Sequence, residues 1–361
     1  MNAFPNRRDF LKLAVLSAFA RPGRAAQAPV ARVGGPRLKT ALNAYSFSKL
    51  LNDHAKGRAS GMSLIQLCEF CALHEFDAVD LTGYFFPGYP KVPEDKALLE
   101  VKRRAFDLGL DISGTGVRNH FTTADKAVRA ESVQHIKDWV EVAARLGAPV
   151  LRVFADTQMK AQTWETVSDG AKREDVEAWI AADIRACAEH AAKFGVIIGV
   201  QNHGDFLKTG DEHLSLIQRV DSPWCGAIVD TGYYMTADPY ADMARVAPFA
   251  VNWQIKESPF GAGNEVRTDL KRLLTIIRLA GYRGYLPIET LSAPGKEYDP
   301  FRLVPAFLAE LRAAIDATAS IAPPPVPPPQ QTVPSSMPES TPRPGRKPPN
   351  KKKAAPSAAR Q

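Results

Sequence analysis

The chain has 361 residues, room for one large or two medium domains, and a formal net charge of +7. That charge sits at the ends: residues 1–28 carry five Lys/Arg against one Asp, residues 319–361 carry seven against one Glu, and the middle is left near −3. The middle therefore lacks the basic face that DNA binding wants, and no apolar run reaches the ~20 residues of a membrane span.

The first 28 residues read as an export signal. Asn6-Arg7-Arg8-Asp9-Phe10-Leu11-Lys12 resembles the twin-arginine motif, a modestly apolar run follows from Leu11 to Ala20, and Ala26-Gln27-Ala28 offers a small-x-small cleavage site. A periplasmic or secreted protein is expected from this. From residue 38 to 318, short apolar runs alternate with longer amphipathic ones. The strand-like runs are 38–47, 76–81, 110–117, 149–155, 196–202, 225–230, 249–256 and 285–291. Between them lie helix-like stretches such as 175–194 and 270–279, and Gly109, Gly147, Gly195 and Gly281 stand where a helix stops before a strand. Eight strand–helix units over this length predict an α/β fold of the (β/α)8 TIM barrel type. A doubly wound open sheet would need a Gly-rich phosphate turn after an early strand, and none is found.

Cys68 and Cys71, with His74 three residues on, invite a redox or metal reading; Leu64, Leu67 and Leu73 on the same helical stretch favour core packing instead. Residues 319–361 hold thirteen of the 29 prolines and few large apolar residues, so a disordered Pro-rich basic tail is expected. It reads first as a solvated linker, with contact to an anionic surface as the alternative.

Four apolar runs in the second half end in side chains that can hold a metal or a sugar: Gln201, Asp230, Gln254 and Glu289. Their gaps of 29, 24 and 35 residues are about one strand-plus-helix unit each, so the four side chains should meet at the carboxyl-end mouth of the barrel. A carboxylate at the end of a buried strand needs a cation or several donors. Strand alternation puts His203 on the face of Gln201 and Lys256 on the face of Gln254. Earlier strands add Asn43, Tyr45, Ser46, Asp80, Arg118, His120, Arg152 and Asp156, polar groups suited to a polyhydroxylated ligand, and Trp253, Tyr233 and Tyr84 could stack on a sugar. From these, Asn43, Arg118, His120, Arg152 and Trp253 are taken as substrate-binding.

His74-Glu75-Phe76-Asp77-Ala78-Val79-Asp80, Leu146-Gly147-Ala148-Pro149-Val150-Leu151-Arg152-Val153, Gly199-Val200-Gln201-Asn202-His203, Val229-Asp230-Thr231-Gly232, Gln254-Ile255-Lys256-Glu257 and the run from Gly281 to Glu289 occur in this order. Together they resemble the xylose isomerase-like barrel family that includes sugar phosphate isomerases and epimerases, over roughly residues 38–315. The resemblance implies a metal set of Glu, Asp, His and Glu from strands five to eight, which falls on Gln201, Asp230, Gln254 and Glu289. Two of the four are amides here. Amide oxygens suit Mn²⁺ or Mg²⁺ better than Zn²⁺, so one of the former is the expected cofactor. An amide does not take up a proton, so Glu289 is left as the expected base, with His203 or Lys256 as the second proton-transfer group.

The function implied is a metal-assisted sugar isomerase or epimerase acting next to a carbonyl, on a small-molecule carbohydrate. A lyase or dehydratase using the same enolate chemistry and a non-catalytic sugar-binding barrel are the alternatives. An apurinic-site endonuclease of the same family would need a His-rich three-zinc set that the chain lacks.

Overall fold

The structure is a computed structural model, and it describes residues 27–157 and 162–323. Residues 1–26 of the expected signal and 324–361 of the expected tail lie outside the described residues. The eight strands are β1 (Arg37–Asn43), β2 (Ala78–Thr82), β3 (Asp111–Gly116), β4 (Val150–Phe154), β5 (Ile197–Gln201), β6 (Cys225–Asp230), β7 (Ala250–Lys256) and β8 (Arg283–Glu289). They form one closed barrel, each strand parallel to the next and β8 parallel to β1. This is the fold expected from the alternating pattern.

Each strand overlaps an expected run, and the differences have local causes. The first run was expected to stay extended to residue 47. Instead the Asn43 Oδ1 accepts from the Tyr45 N–H at 2.8 Å and turns the chain into a short 3₁₀ helix, Ala44–Phe47. Such a side-chain turn is what ends a strand at Asn. The helices start and stop on their caps. Ser63 and Gln66 form a capping box on Leu64–Leu73, and Thr209 and Glu212 form another on Gly210–Val220. Gly147, after Lys126–Leu146, has φ 88°, a left-handed exit that an L side chain rarely adopts.

The core lies between the outward faces of the strands and the ring of helices. Trp139, Ile180, Ile184, Leu216, Ile217 and Ile277 come from the helices, and Val153, Val200, Val229 and Ile255 from the strands. Cys68, Cys71, Cys187 and Cys225 are free thiols buried in this layer, as core packing required. Before β1, residues 27–36 run past the starts of the strands. Gln27 donates to the Cys225 carbonyl at 2.8 Å, the Val30 N–H to the Pro248 carbonyl at 3.0 Å, and Arg32 to the Ala250 carbonyl. Among the described residues no helix is long and apolar enough to cross a membrane.

Candidate functional site

The carboxyl ends of β5 to β8 bring Gln201, Asp230, Gln254, Lys256 and Glu289 into one buried cluster, none of them more than 5% exposed. Strand register does this: Asp230 pairs with Gln254 across β6 and β7, and Lys256 pairs with Glu289 across β7 and β8. Lys256 Nζ stands 2.6 Å from Glu289 Oε1 and 3.4 Å from Asp230 Oδ2. Gln201 Nε2 donates to Asp230 Oδ2 at 2.6 Å and lies 2.8 Å from the Gln254 amide. With its nitrogen toward the carboxylates, the Gln254 amide comes within 3.1 Å of Glu289 Oε2, and its oxygen accepts from Asn43 Nδ2 at 2.9 Å. Asp230 also accepts from the Gly232 N–H at 3.0 Å, and a reciprocal pair of bonds joins Asn202 to the Asp230 backbone.

The electrostatics follow from burial. Burial pushes the Asp230 carboxyl up to about 6, opposed by Lys256 and reinforced by Glu289. Burial works against the Lys256 ammonium too, but the Asp230 and Glu289 carboxylates outweigh it and raise its pKa. Lys256 therefore stays charged through the neutral range.

The four side chains expected to hold a divalent ion do converge, but on an ammonium. The donor set does not fit Mn²⁺ or Mg²⁺. An ion bound to both carboxylates at the usual ~2.0–2.2 Å would sit beside the Lys256 ammonium. Repulsion between a double and a single charge ~3.5 Å apart is on the order of 10 kcal/mol at an effective dielectric near 20. Two amides add no charge to offset it. Among the described residues, no group of three or more His, Cys, Asp or Glu is placed to hold a metal.

Around this cluster the mouth is lined by polar and aromatic groups. Arg152 donates to the Tyr84 hydroxyl at 3.3 Å and lies over the Phe154 ring at 4.5 Å. Room for it comes from β3: a Cβ on Gly116 would fall 2.7 Å from Arg152 Nε, and one on Gly114 would fall 2.6 Å from Asp80 Oδ2. His203 stacks on Tyr233, ring centroids 4.1 Å apart, and burial with the nearby Lys256 charge lowers its pKa to about 3. It is thus a neutral imidazole held against the mouth. Asp156 sits underneath and fixes that loop, accepting from the N–H groups of His203, Phe206 and Leu207 at 2.8, 2.9 and 2.9 Å. A cavity of about 390 Å³ opens between the loops after β7 and β8, with Lys256, Glu289, Leu291 and Tyr298 in its wall.

Two expected substrate contacts, Trp253 and Asn43, take other roles. Trp253 is fully buried and packs edge-on to Tyr282, 6.1 Å between centroids, facing the helix layer. Alternation requires this, since Gln254 and Lys256 occupy the inward face of β7. Asn43 is fully buried and serves as the β1 turn and the partner of Gln254. His120 is half-buried, and its backbone N–H donates to Ser132 Oγ at 3.0 Å. Arg118 is exposed and stands 5.3 Å from the Tyr84 ring.

Asp80, which the sequence offered without a definite role, is buried on β2, and burial lifts its carboxyl to about 6 against the pull of Arg152. Its folded pKa lies above the ordinary 3.8, so the folded state keeps a proton that the unfolded chain has lost. Its contribution therefore lowers stability as pH rises from about 4 to about 6 and is level above that. Asp80→Asn removes this slope. Urea denaturation should show the variant gaining on the order of 2–3 kcal/mol relative to the wild type across that window. Parallel curves from pH 4 to 7 would refute the placement.

A family model described as the xylose isomerase-like TIM barrel matches residues 68–312. Among solved structures, the chain is similar to 3-keto-D-glucoside 4-epimerase from E. coli, at 15% identity and TM-score 0.60, over 77% of this chain and 99% of that one. It is similar to D-psicose 3-epimerase from Clostridium cellulolyticum, at 12% identity and TM-score 0.61, over 79% and 99%. L-ribulose 3-epimerase is similar at 18% identity and TM-score 0.61, over 78% and 97%. At these identities the likeness is one of fold. No curated protein matches the chain in sequence.

Proposed function

Since the chain belongs to the xylose isomerase-like TIM barrel family, we propose that it is a sugar isomerase or epimerase that moves a proton at a carbon next to a carbonyl. The observation that carries this is Glu289. It is a buried carboxylate at the carboxyl end of β8, in the wall of the cavity, with an ammonium 2.6 Å away. Glu289 takes the proton from the substrate carbon and the C–H electrons pass to the carbonyl oxygen as an enolate; reprotonation of that carbon from the opposite face completes epimerisation, while reprotonation of the neighbouring carbon, with the hydroxyl proton passing to the former carbonyl oxygen, completes isomerisation. The second proton-transfer group is Asp80, whose pKa near 6 suits proton exchange close to neutral pH; His203, its pKa lowered to about 3, stays neutral and serves as a hydrogen-bonding group. Arg152 and Tyr84 bind and orient hydroxyls. The structures of similar fold named above are those of sugar epimerases, which supports the substrate class. Export of the protein belongs to the same proposal, and favours a free or oxidised sugar over a phosphorylated one.

Incubation of the purified protein with a panel of keto sugars in heavy water tests this. Deuterium should enter the carbon next to the carbonyl of at least one sugar, even where no net conversion occurs. Binding of a sugar with no exchange at any carbon would instead make the protein a carbohydrate-binding barrel.

A further inference from the structure

We infer that Lys256 is the resident cation of this site and takes the place that a divalent ion was expected to fill. Three observations lead there. First, its ammonium lies between the two carboxylates of the cluster, 2.6 Å from Glu289 and 3.4 Å from Asp230. Second, the other two members of the expected ligand set, Gln201 and Gln254, are neutral, so the two carboxylates have one cation to balance and it is supplied by β7. Third, an ammonium has three N–H donors, more than its hydrogen bond to Glu289 at 2.6 Å and its ion pair with Asp230 at 3.4 Å can take up. Lys256 and Glu289 both border the cavity, so the third donor is left for a ligand oxygen that enters from it.

In the reaction this gives Lys256 a specific task, which rests on the proton-transfer reading above. A carbonyl oxygen hydrogen-bonded to the ammonium gains negative charge as Glu289 removes the neighbouring proton. A fixed positive donor there stabilises the enolate without itself giving up a proton. The same ammonium holds Glu289 in position, so base and electrophile are oriented by one bond.

The assignment is tested by metal binding, which does not depend on finding the substrate. The full-length protein is dialysed against EDTA and titrated with Mn²⁺ alone, and free Mn²⁺ is followed by its electron paramagnetic resonance signal. The wild type should take up no stoichiometric Mn²⁺ up to ~1 mM, weaker than the usual range of protein sites. Lys256→Met, which opens the position between the carboxylates, should bind Mn²⁺ at least ~10-fold more tightly than the wild type. One Mn²⁺ per wild-type chain at micromolar concentration overturns the inference, and the wild-type titration alone decides this if the variant does not fold. Should the wild type exclude Mn²⁺ while no keto sugar exchanges, the proton-transfer reading fails and the cation assignment stands.

Discussion

Glu289→Gln should leave the barrel folded and cut proton exchange by ~10²–10⁴-fold, the usual loss when a general base is removed. Glutamine keeps the size of glutamate, and its oxygen can still accept from Lys256 where Glu289 Oε1 now does at 2.6 Å. What it loses is the ability to take up a proton. The loss should therefore fall on kcat, with KM for an exchanging sugar altered little, because the hydrogen bonds that orient the sugar come from other residues. Glu289→Asp keeps the base but draws it back from the cavity, and should fall between the two. Exchange by Glu289→Gln within about threefold of the wild type, outside that general-base range, would remove Glu289 from the reaction.

Lys256→Met should show the largest effect on stability, a loss of about 3–5 kcal/mol at neutral pH. The reason is the asymmetry of buried ion pairs. Asp230 and Glu289, 0% and 5% exposed, would stay buried and face each other with no cation between them. The Asp230 carboxyl, already raised to about 6 by burial, would rise further without the Lys256 charge that now opposes that shift. The sign of the pH dependence follows. In the variant the folded state holds protons that the unfolded chain releases, so its deficit is small near pH 4 and grows as pH rises through 6. Urea denaturation of both proteins from pH 4 to 8 measures it. A deficit under about 1 kcal/mol at pH 7, no larger than that of an exposed pair, would show that the ammonium is not what balances these carboxylates.

Much of this was readable in the chain. Eight apolar runs separated by helix-length segments specify a barrel because a parallel strand must be followed by a crossover, and glycine marks where helices end. The residues at the ends of β5, β6 and β8 were identifiable because a carboxylate or amide that closes an apolar run is out of place in a core. The partner of each was not. Whether Glu289 meets Arg152 or Lys256 depends on the register across β6, β7 and β8, and a shift between Ala227 and Ile228 alters that register in a way no local pattern reveals. Trp253 differs for a local reason. The period-two rule that places Gln254 and Lys256 inside also places Trp253 outside, where its ring packs against Tyr282. The amide of Asn43 suits a ligand contact in the sequence, but its carbonyl oxygen turns the chain and its nitrogen meets Gln254.

A positive charge carried on the side chain of a strand residue does not obey mass action. Its local concentration at Asp230 and Glu289 is set by the four methylenes that join it to β7, not by the surrounding medium. Dilution, chelators and metal starvation leave it where it is. The converse also holds: the tether carries one unit of charge, and it cannot be exchanged for a harder or softer ion to suit a different substrate. The site has traded adjustability for permanence.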